Sequence, residues 1–141
     1  MLPSLRIINT VGRFGRVYGM LNYNVMERKN WVQKFLYRSN LYKFPVLINI
    51  IFGTMSIVGP RPETPDDVNE MQKKIRFYNR RFQVRPGLTG WAQVKYRYDD
   101  SLKSKREQYK QDLFYLENMS LTFDFRILLR SLYILLFNKY K

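Results

Sequence analysis

Two arginines in this chain stand between rigid neighbours, in Gly59-Pro60-Arg61-Pro62 and in Val84-Arg85-Pro86-Gly87. Arg61 has a proline on each side and Arg85 has one after it, which restricts the backbone and so where each guanidinium starts from. A guanidinium is a planar, permanently charged fork that suits the oxygens of phosphate or carboxylate. Thr89 and the amides of Gly87 and Gly90 can add donors nearby. Two readings stay open from the spacing: a site for a phosphorylated or nucleotide-linked substrate, or local pairing of Arg61 and Arg85 with carboxylates such as Glu63.

The rest of the composition narrows the chemistry. The 141 residues hold no Cys and no His. That removes disulfides, thiolate nucleophiles, cysteine-held metals and imidazole bases. Catalysis would have to rest on carboxylates, Lys, Tyr, Ser or Thr, backbone amides or a carboxylate-held metal. The net charge of +14, with 25 basic and 11 acidic residues, calls for an anionic partner. With 45% hydrophobic and 16% aromatic residues, the chain can bury a core and is not a disordered basic tail. No helix-turn-helix, zinc-finger or RNA-recognition pattern is present, so nucleic acid is not the expected partner.

The elements that must position the two arginines follow from turn and capping signals. Residues 1–39 read as a basic region without a clear fold signal. Its Val11-Gly12-Arg13-Phe14-Gly15-Arg16 run fits neither phosphate-loop spacing and reads as a flexible connection. A short helix is expected over 27–36. Phe44 to Phe52 reads as a buried helix with Pro45 at its first turn and Gly53 at its end. Residues 53–62 read as a loop. Thr64 should cap a helix running to about Arg81, with Asp66 and Asp67 at its positive dipole end. Residues 84–94 read as a turn-rich loop leading into a short extended segment, with Trp91 anchoring it to the core. Two further helices are expected, a polar one from Ser101 to about Glu117 and an apolar one from Leu121 to about Phe137. In the latter Arg126 and Arg130 share one face, as suits a helix lying on an anionic membrane surface. The expected class is mainly α (α+β): several helices, some amphipathic, with Pro/Gly-rich loops and at most a short sheet. The N-terminus does not read as a signal peptide, and no apolar run reaches spanning length, so any membrane contact should be peripheral.

Three blocks carry a resemblance. Gly53-Thr54-Met55-Ser56-Ile57-Val58-Gly59-Pro60-Arg61-Pro62-Glu63 is similar to the G-x-M-S-x-V-G-P-R-P-E motif of the bacterial sugar transferase family. Val84 to Val94 (VRPGLTGWAQV) matches that family's second block, and Asp112 to Leu121 with Asp124 resembles the third. The blocks come in order and cover about Leu41 to Phe137, so residues 40–141 read as a bacterial sugar transferase-like domain.

The resemblance implies a monotopic phosphoglycosyltransferase at the cytoplasmic face of the bacterial inner membrane. Such enzymes move a sugar phosphate from a UDP-sugar to a polyprenyl phosphate, with magnesium, to begin exopolysaccharide, capsule or O-antigen synthesis. It implies substrate-binding roles for Arg61 and Arg85, with Ser56 and Thr89 beside them. It also implies an adjacent Asp-Glu dyad before the apolar stretch, a nucleophile and a magnesium ligand. Here Asn40-Leu41-Tyr42-Lys43-Phe44-Pro45 stands in that place, so the dyad position falls on Tyr42 and Lys43. A phenol with a pKa of about 10 is a poor nucleophile without activation, and a charged ammonium binds no magnesium. No catalytic residue and no metal ligand can be assigned. The family's upstream re-entrant helix is also missing, so the chain reads as a fragment or a divergent relative. The alternative expectation is a non-catalytic, membrane-peripheral partner of an intact transferase.

Overall fold

The computed structural model describes residues 4–24, 30–39 and 41–137. Among them the fold is mainly helical, with two two-stranded sheets. The flexible connection expected near the N-terminus is instead an antiparallel hairpin, β1 (Leu5–Val11) and β2 (Val17–Tyr23), paired from Leu5↔Tyr23 to Val11↔Val17. Its tight turn holds Phe14 and Gly15 at positive φ, 59° and 74°. Hydrogen bonds from both strands bind the hairpin to the rest of the chain. Val11 N–H donates to the Glu63 carbonyl at 2.9 Å. The buried Asn49 carboxamide accepts from Leu21 N–H at 2.9 Å and donates to the Gly19 carbonyl at 2.8 Å.

Helix α1 (Trp31–Arg38) opens on a reciprocal capping box of Asn30 and Gln33; the start expected before it lies outside the described residues. A 3-10 turn over Leu41–Lys43 leads into α2 (Val46–Ile51). This helix forms where expected but is not buried. Val46 and Asn49 face inward, whereas Phe44, Leu47, Ile48, Ile51 and Phe52 are exposed, Ile51 at 82%. One docked edge is all that a six-residue helix can bury, so the apolar run reflects an outward apolar face rather than a core position.

The two motif loops pair with each other. β3 (Ser56–Val58) and β4 (Gly87–Thr89) form a parallel ladder with Ser56↔Gly87 and Val58↔Thr89. Gly59 N–H donates to the Thr89 carbonyl and Gly87 N–H to the Pro60 carbonyl, both at 2.9 Å. The approach is so close that a Cβ on Gly87 would collide with the Gly59 amide, and one on Gly90 with the Gly59 carbonyl.

Helix α3 (Pro65–Lys74) starts as expected, with Thr64 accepting from Asp67 N–H and Asp66 and Asp67 in the first turn. It ends seven residues short of Arg81. Ile75 is extended and Phe77 sits at φ 59°, after which a 3-10 helix spans Tyr78–Gln83. That break turns Tyr78, Arg81 and Phe82 inward. Strand Gly87–Thr89 and helix α4 (Trp91–Lys95) form within the stretch read as a turn-rich loop. Trp91 anchors as expected, donating from Nε1 to Gln111 at 3.1 Å and packing on Phe114 and Phe123.

Helices α5 (Leu102–Glu117) and α6 (Leu121–Phe137) match the sequence reading closely. The polar α5 buries one stripe, Gln108, Tyr109, Asp112 and Tyr115. Tyr109 joins a core of Val11, Val68, Met71, Ile75, Tyr78 and Phe82, and Tyr115 joins a second core of Val58, Val94 and Ile127. Asp112 lies between them on the helix. Only Ile127 of α6 is buried; Leu121 (90% exposed), Phe125, Leu129, Leu132 and Leu136 are exposed. Among the described residues no helix is long and apolar enough to cross a membrane.

Candidate functional site

The site grows from a buried cation. Arg81 is 1% exposed, and the two Nη atoms of its guanidinium reach four groups. Nη1 meets Glu63 Oε1 at 2.8 Å and the Tyr78 hydroxyl at 2.5 Å. Nη2 meets Asp112 Oδ2 at 3.0 Å and the Arg61 backbone carbonyl at 2.9 Å. Tyr78 in turn donates to Glu63 Oε2, and Lys105 adds a further ion pair at 3.6 Å. An unpaired charge cannot stay in such a place, so the two carboxylates and the guanidinium hold one another there. The network ties the Pro60-Arg61-Pro62-Glu63 loop to α5 and to the 3-10 segment.

Two carboxylates share one guanidinium, and they divide it unevenly. Burial opposes the Glu63 carboxylate, but Arg81, Tyr78 and Lys105 together hold its pKa below the ordinary value. Burial dominates at Asp112, Arg81 offsets only part of it, and the Glu63 charge adds to it, so that carboxyl is pushed up to about 6.

Arg61 is therefore fixed through its backbone while its side chain is exposed. The expected alternative, pairing of Arg61 or Arg85 with Glu63, does not occur; Glu63 is taken by Arg81 and Lys105. The Arg61 charge instead acts on Tyr42 and Lys43, both half-buried. Burial pushes the Tyr42 phenol up, with the neighbouring Tyr37 adding to it and Arg61 opposing. Burial pushes the Lys43 ammonium down, and Arg61 adds to that. Tyr37 stacks on Tyr42 with ring centroids 5.7 Å apart, and Lys43 Nζ lies 5.6 Å from the Tyr42 ring centre.

Arg85 is placed differently. Its Nη1 donates to the Gly53 carbonyl at 3.2 Å, just past the end of α2. Ser56 and Thr89 sit on the adjacent strands β3 and β4, offset by two positions. None of these three lines the cleft of about 310 Å³ that Arg61 borders together with Gln93, Tyr96, Arg97, Tyr98 and Gln108. The structure thus joins the two motif blocks as one sheet, but puts Arg61 alone of the four expected binding residues at the cleft.

The donor set at the dyad position is a phenol and an ammonium beside a guanidinium, which does not fit magnesium. Glu63 and Asp112 are engaged by Arg81. Among the described residues no group of three acidic side chains could hold a metal ion.

Sequence reasoning missed the Glu63–Arg81–Asp112 network. Its members are 18 and 31 residues apart in sequence, so no local pattern links them. The one available signal was a charged residue set against apolar neighbours, Arg81-Phe82 and Asp112-Leu113-Phe114.

The bacterial sugar transferase family description matches residues 10–138. The chain belongs to this family. The match reaches back into the N-terminal region that carried no motif of its own. A UDP-glucose:undecaprenyl-phosphate glucose-1-phosphate transferase of Xanthomonas campestris pv. campestris is 41% identical over 96 residues, 67% of this chain and 20% of the relative. A UDP-N-acetylgalactosamine-undecaprenyl-phosphate N-acetylgalactosaminephosphotransferase of Aeromonas hydrophila is 35% identical over 101 residues, 72% of this chain and 24% of the relative. A Caulobacter vibrioides UDP-glucose:undecaprenyl-phosphate glucose-1-phosphate transferase is 34% identical over 107 residues, 74% of this chain and 40% of the relative. The chain thus spans between a fifth and two fifths of the length of these relatives.

Proposed function

We propose that this chain carries the nucleotide-sugar site of a UDP-sugar:polyprenyl-phosphate sugar-phosphate transferase, with the acidic dyad replaced, and that alone it transfers weakly or not at all. The observation that carries the reading is the Arg61 guanidinium. Its backbone carbonyl is bonded to Arg81, while the guanidinium is exposed and electrostatically coupled to Tyr42 and Lys43, where the family's Asp-Glu pair would stand. Arg61 would bind the diphosphate of the donor, and Lys43 adds positive charge beside it. No carboxylate there can attack phosphorus, and the raised phenol of Tyr42 holds even less phenolate than an ordinary tyrosine. Magnesium is expected for the family, and Tyr42 and Lys43 at the dyad position supply no ligand for it.

The exposed apolar residues of α2 and α6, with the charge of +14, support a peripheral seat on an anionic membrane surface, the cytoplasmic face of the bacterial inner membrane. The replaced dyad also favours a second reading, a non-catalytic membrane-peripheral partner of an intact transferase. UMP release from UDP-glucose in the presence of undecaprenyl phosphate and magnesium separates the two. The weak-transferase reading expects slow release that Tyr42→Asp with Lys43→Glu accelerates. UDP-glucose binding without release in either form supports the partner reading. Robust wild-type turnover that survives Tyr42→Phe and Lys43→Ala would refute the placement of the site.

A further inference from the structure

Lys43 ends the 3-10 turn before α2, and that turn packs against α1 and β2. Its side chain is half-buried, with Nζ 5.6 Å from the centre of the Tyr42 ring. Among the described residues no carboxylate pairs with it; their ion pairs use other lysines and Arg81. The charge that acts on it is another cation, the Arg61 guanidinium. An ordinary lysine is protonated at neutral pH and has no lone pair to offer. Burial and the Arg61 charge both push the Lys43 ammonium down, towards the neutral amine. Desolvation beside a second cation is a general way to make a lysine nucleophilic. Arg61 also fixes the kind of electrophile. A guanidinium that binds a diphosphate keeps phosphorus within reach of the groups beside it.

We infer that Lys43 is the nucleophile of the first transfer step and takes up the sugar phosphate as a phosphoramidate. The neutral Lys43 nitrogen attacks the β-phosphorus of the bound UDP-sugar. An N–P bond forms, the bond from that phosphorus to the bridging oxygen breaks, and UMP leaves with the electron pair. The nitrogen gives up one proton to water. An oxygen of the acceptor phosphate then attacks the same phosphorus, and the amine leaves and regains a proton. Nothing is oxidised or reduced. Only the neutral fraction of the amine attacks, which accords with slow transfer. This inference rests on the proposed nucleotide-sugar site and deepens it by naming the group that attacks in place of the missing carboxylate.

Incubation of the full chain with UDP-glucose radiolabelled in the β-phosphorus tests it, in magnesium buffer and without polyprenyl phosphate, so that a covalent species accumulates. Label on the denatured protein is counted, and the labelled peptide is identified by mass spectrometry. The label should sit on Lys43, survive base and leave in mild acid, as an N–P bond does; a phosphate ester on Tyr42 would survive the acid. One UMP should be released for each label taken up. Lys43→Arg keeps a positive charge, so it should still bind UDP-glucose by calorimetry and take up no label. The labelled position in the wild type decides the matter even if the variant folds poorly. Label on Tyr42 or another residue, or label retained by Lys43→Arg, would overturn the inference. Wild-type binding of UDP-glucose with no label would overturn it too and leave the nucleotide-sugar site standing. No binding of UDP-glucose by the wild type would overturn both.

Discussion

Arg81 donates from Nη2 to the backbone carbonyl of Arg61 at 2.9 Å, so a buried guanidinium fixes the backbone from which an exposed one extends. The buried arginine is held by carboxylates from two different parts of the chain, and the exposed one has its side chain open to solvent.

Replacing Arg81 by Met should destabilise the fold by about 3–5 kcal/mol, because Glu63 and Asp112 then lose their shared partner in the interior. The loss appears as a lower urea midpoint with unchanged slope. Arg81→Lys should recover only part of it, since an ammonium cannot present the fork that reaches Glu63, Asp112 and the Arg61 carbonyl together. A midpoint unchanged by Arg81→Met would show that the network contributes nothing.

The two acids should titrate in a set order. Carbon-detected NMR of the side-chain carboxyls should place Asp112 near 6 and Glu63 below its ordinary value. The raised Asp112 pKa favours the fold at low pH, and that contribution is lost as pH rises from about 4 through about 6. The lowered Glu63 pKa works the other way: its contribution is present above its unfolded pKa and is lost as pH falls through the folded value. The stability of wild type relative to Asp112→Asn should therefore fall between pH 4 and pH 6, the range about the Asp112 shift. A relative stability that rises over that range would reverse the assignment.

Gly87→Ala forces a methyl group into the Gly59 amide and should cost about 1–3 kcal/mol, by thermal or urea unfolding. Gly15→Ala makes a useful contrast. It meets no neighbouring atom, but its φ of 74° disfavours any side chain, so its smaller cost comes from the backbone alone. Equal stability of Gly87→Ala and wild type would show that the β3–β4 approach is looser than described.

Ile51→Ser with Phe52→Ser removes two side chains that are mostly exposed. Stability should change by less than about 0.5 kcal/mol. Binding to vesicles containing anionic lipid should weaken at least tenfold, on the order of the burial of one large apolar side chain. Undiminished vesicle binding would remove α2 from the membrane-facing surface.

Much of this architecture could be read from the residues, and what could not has identifiable causes. Helix α5 was legible because Ser101 caps it and a long run of good helix formers follows. Helix α6 was legible because its apolar run has no breaker. The hairpin was not. Leu5-Arg6-Ile7-Ile8-Asn9-Thr10-Val11 alternates poorly, and its turn uses Phe14 at positive φ where the sequence offers no Asn-Gly or Asp-Gly signal. Residues 44–52 read as core because an apolar run looks the same whether it faces the protein interior or points outward. The early end of α3 follows from the left-handed Phe77, which carries no sequence mark. Near the cleft, the rigid setting of Arg61 was legible from its flanking prolines. Arg81 and Asp112 were not, since tertiary packing alone brings them together.

Equilibrium binding of UDP-glucose to the wild-type chain and to Arg61→Ala tests the nucleotide-sugar site most directly. Arg61 is exposed and makes no side-chain ion pair among the described residues, so the variant should fold with unchanged stability. It should bind at least about tenfold more weakly, the loss expected for a guanidinium–phosphate contact. Equal affinity of the two proteins, or no binding by the wild type, would contradict the site.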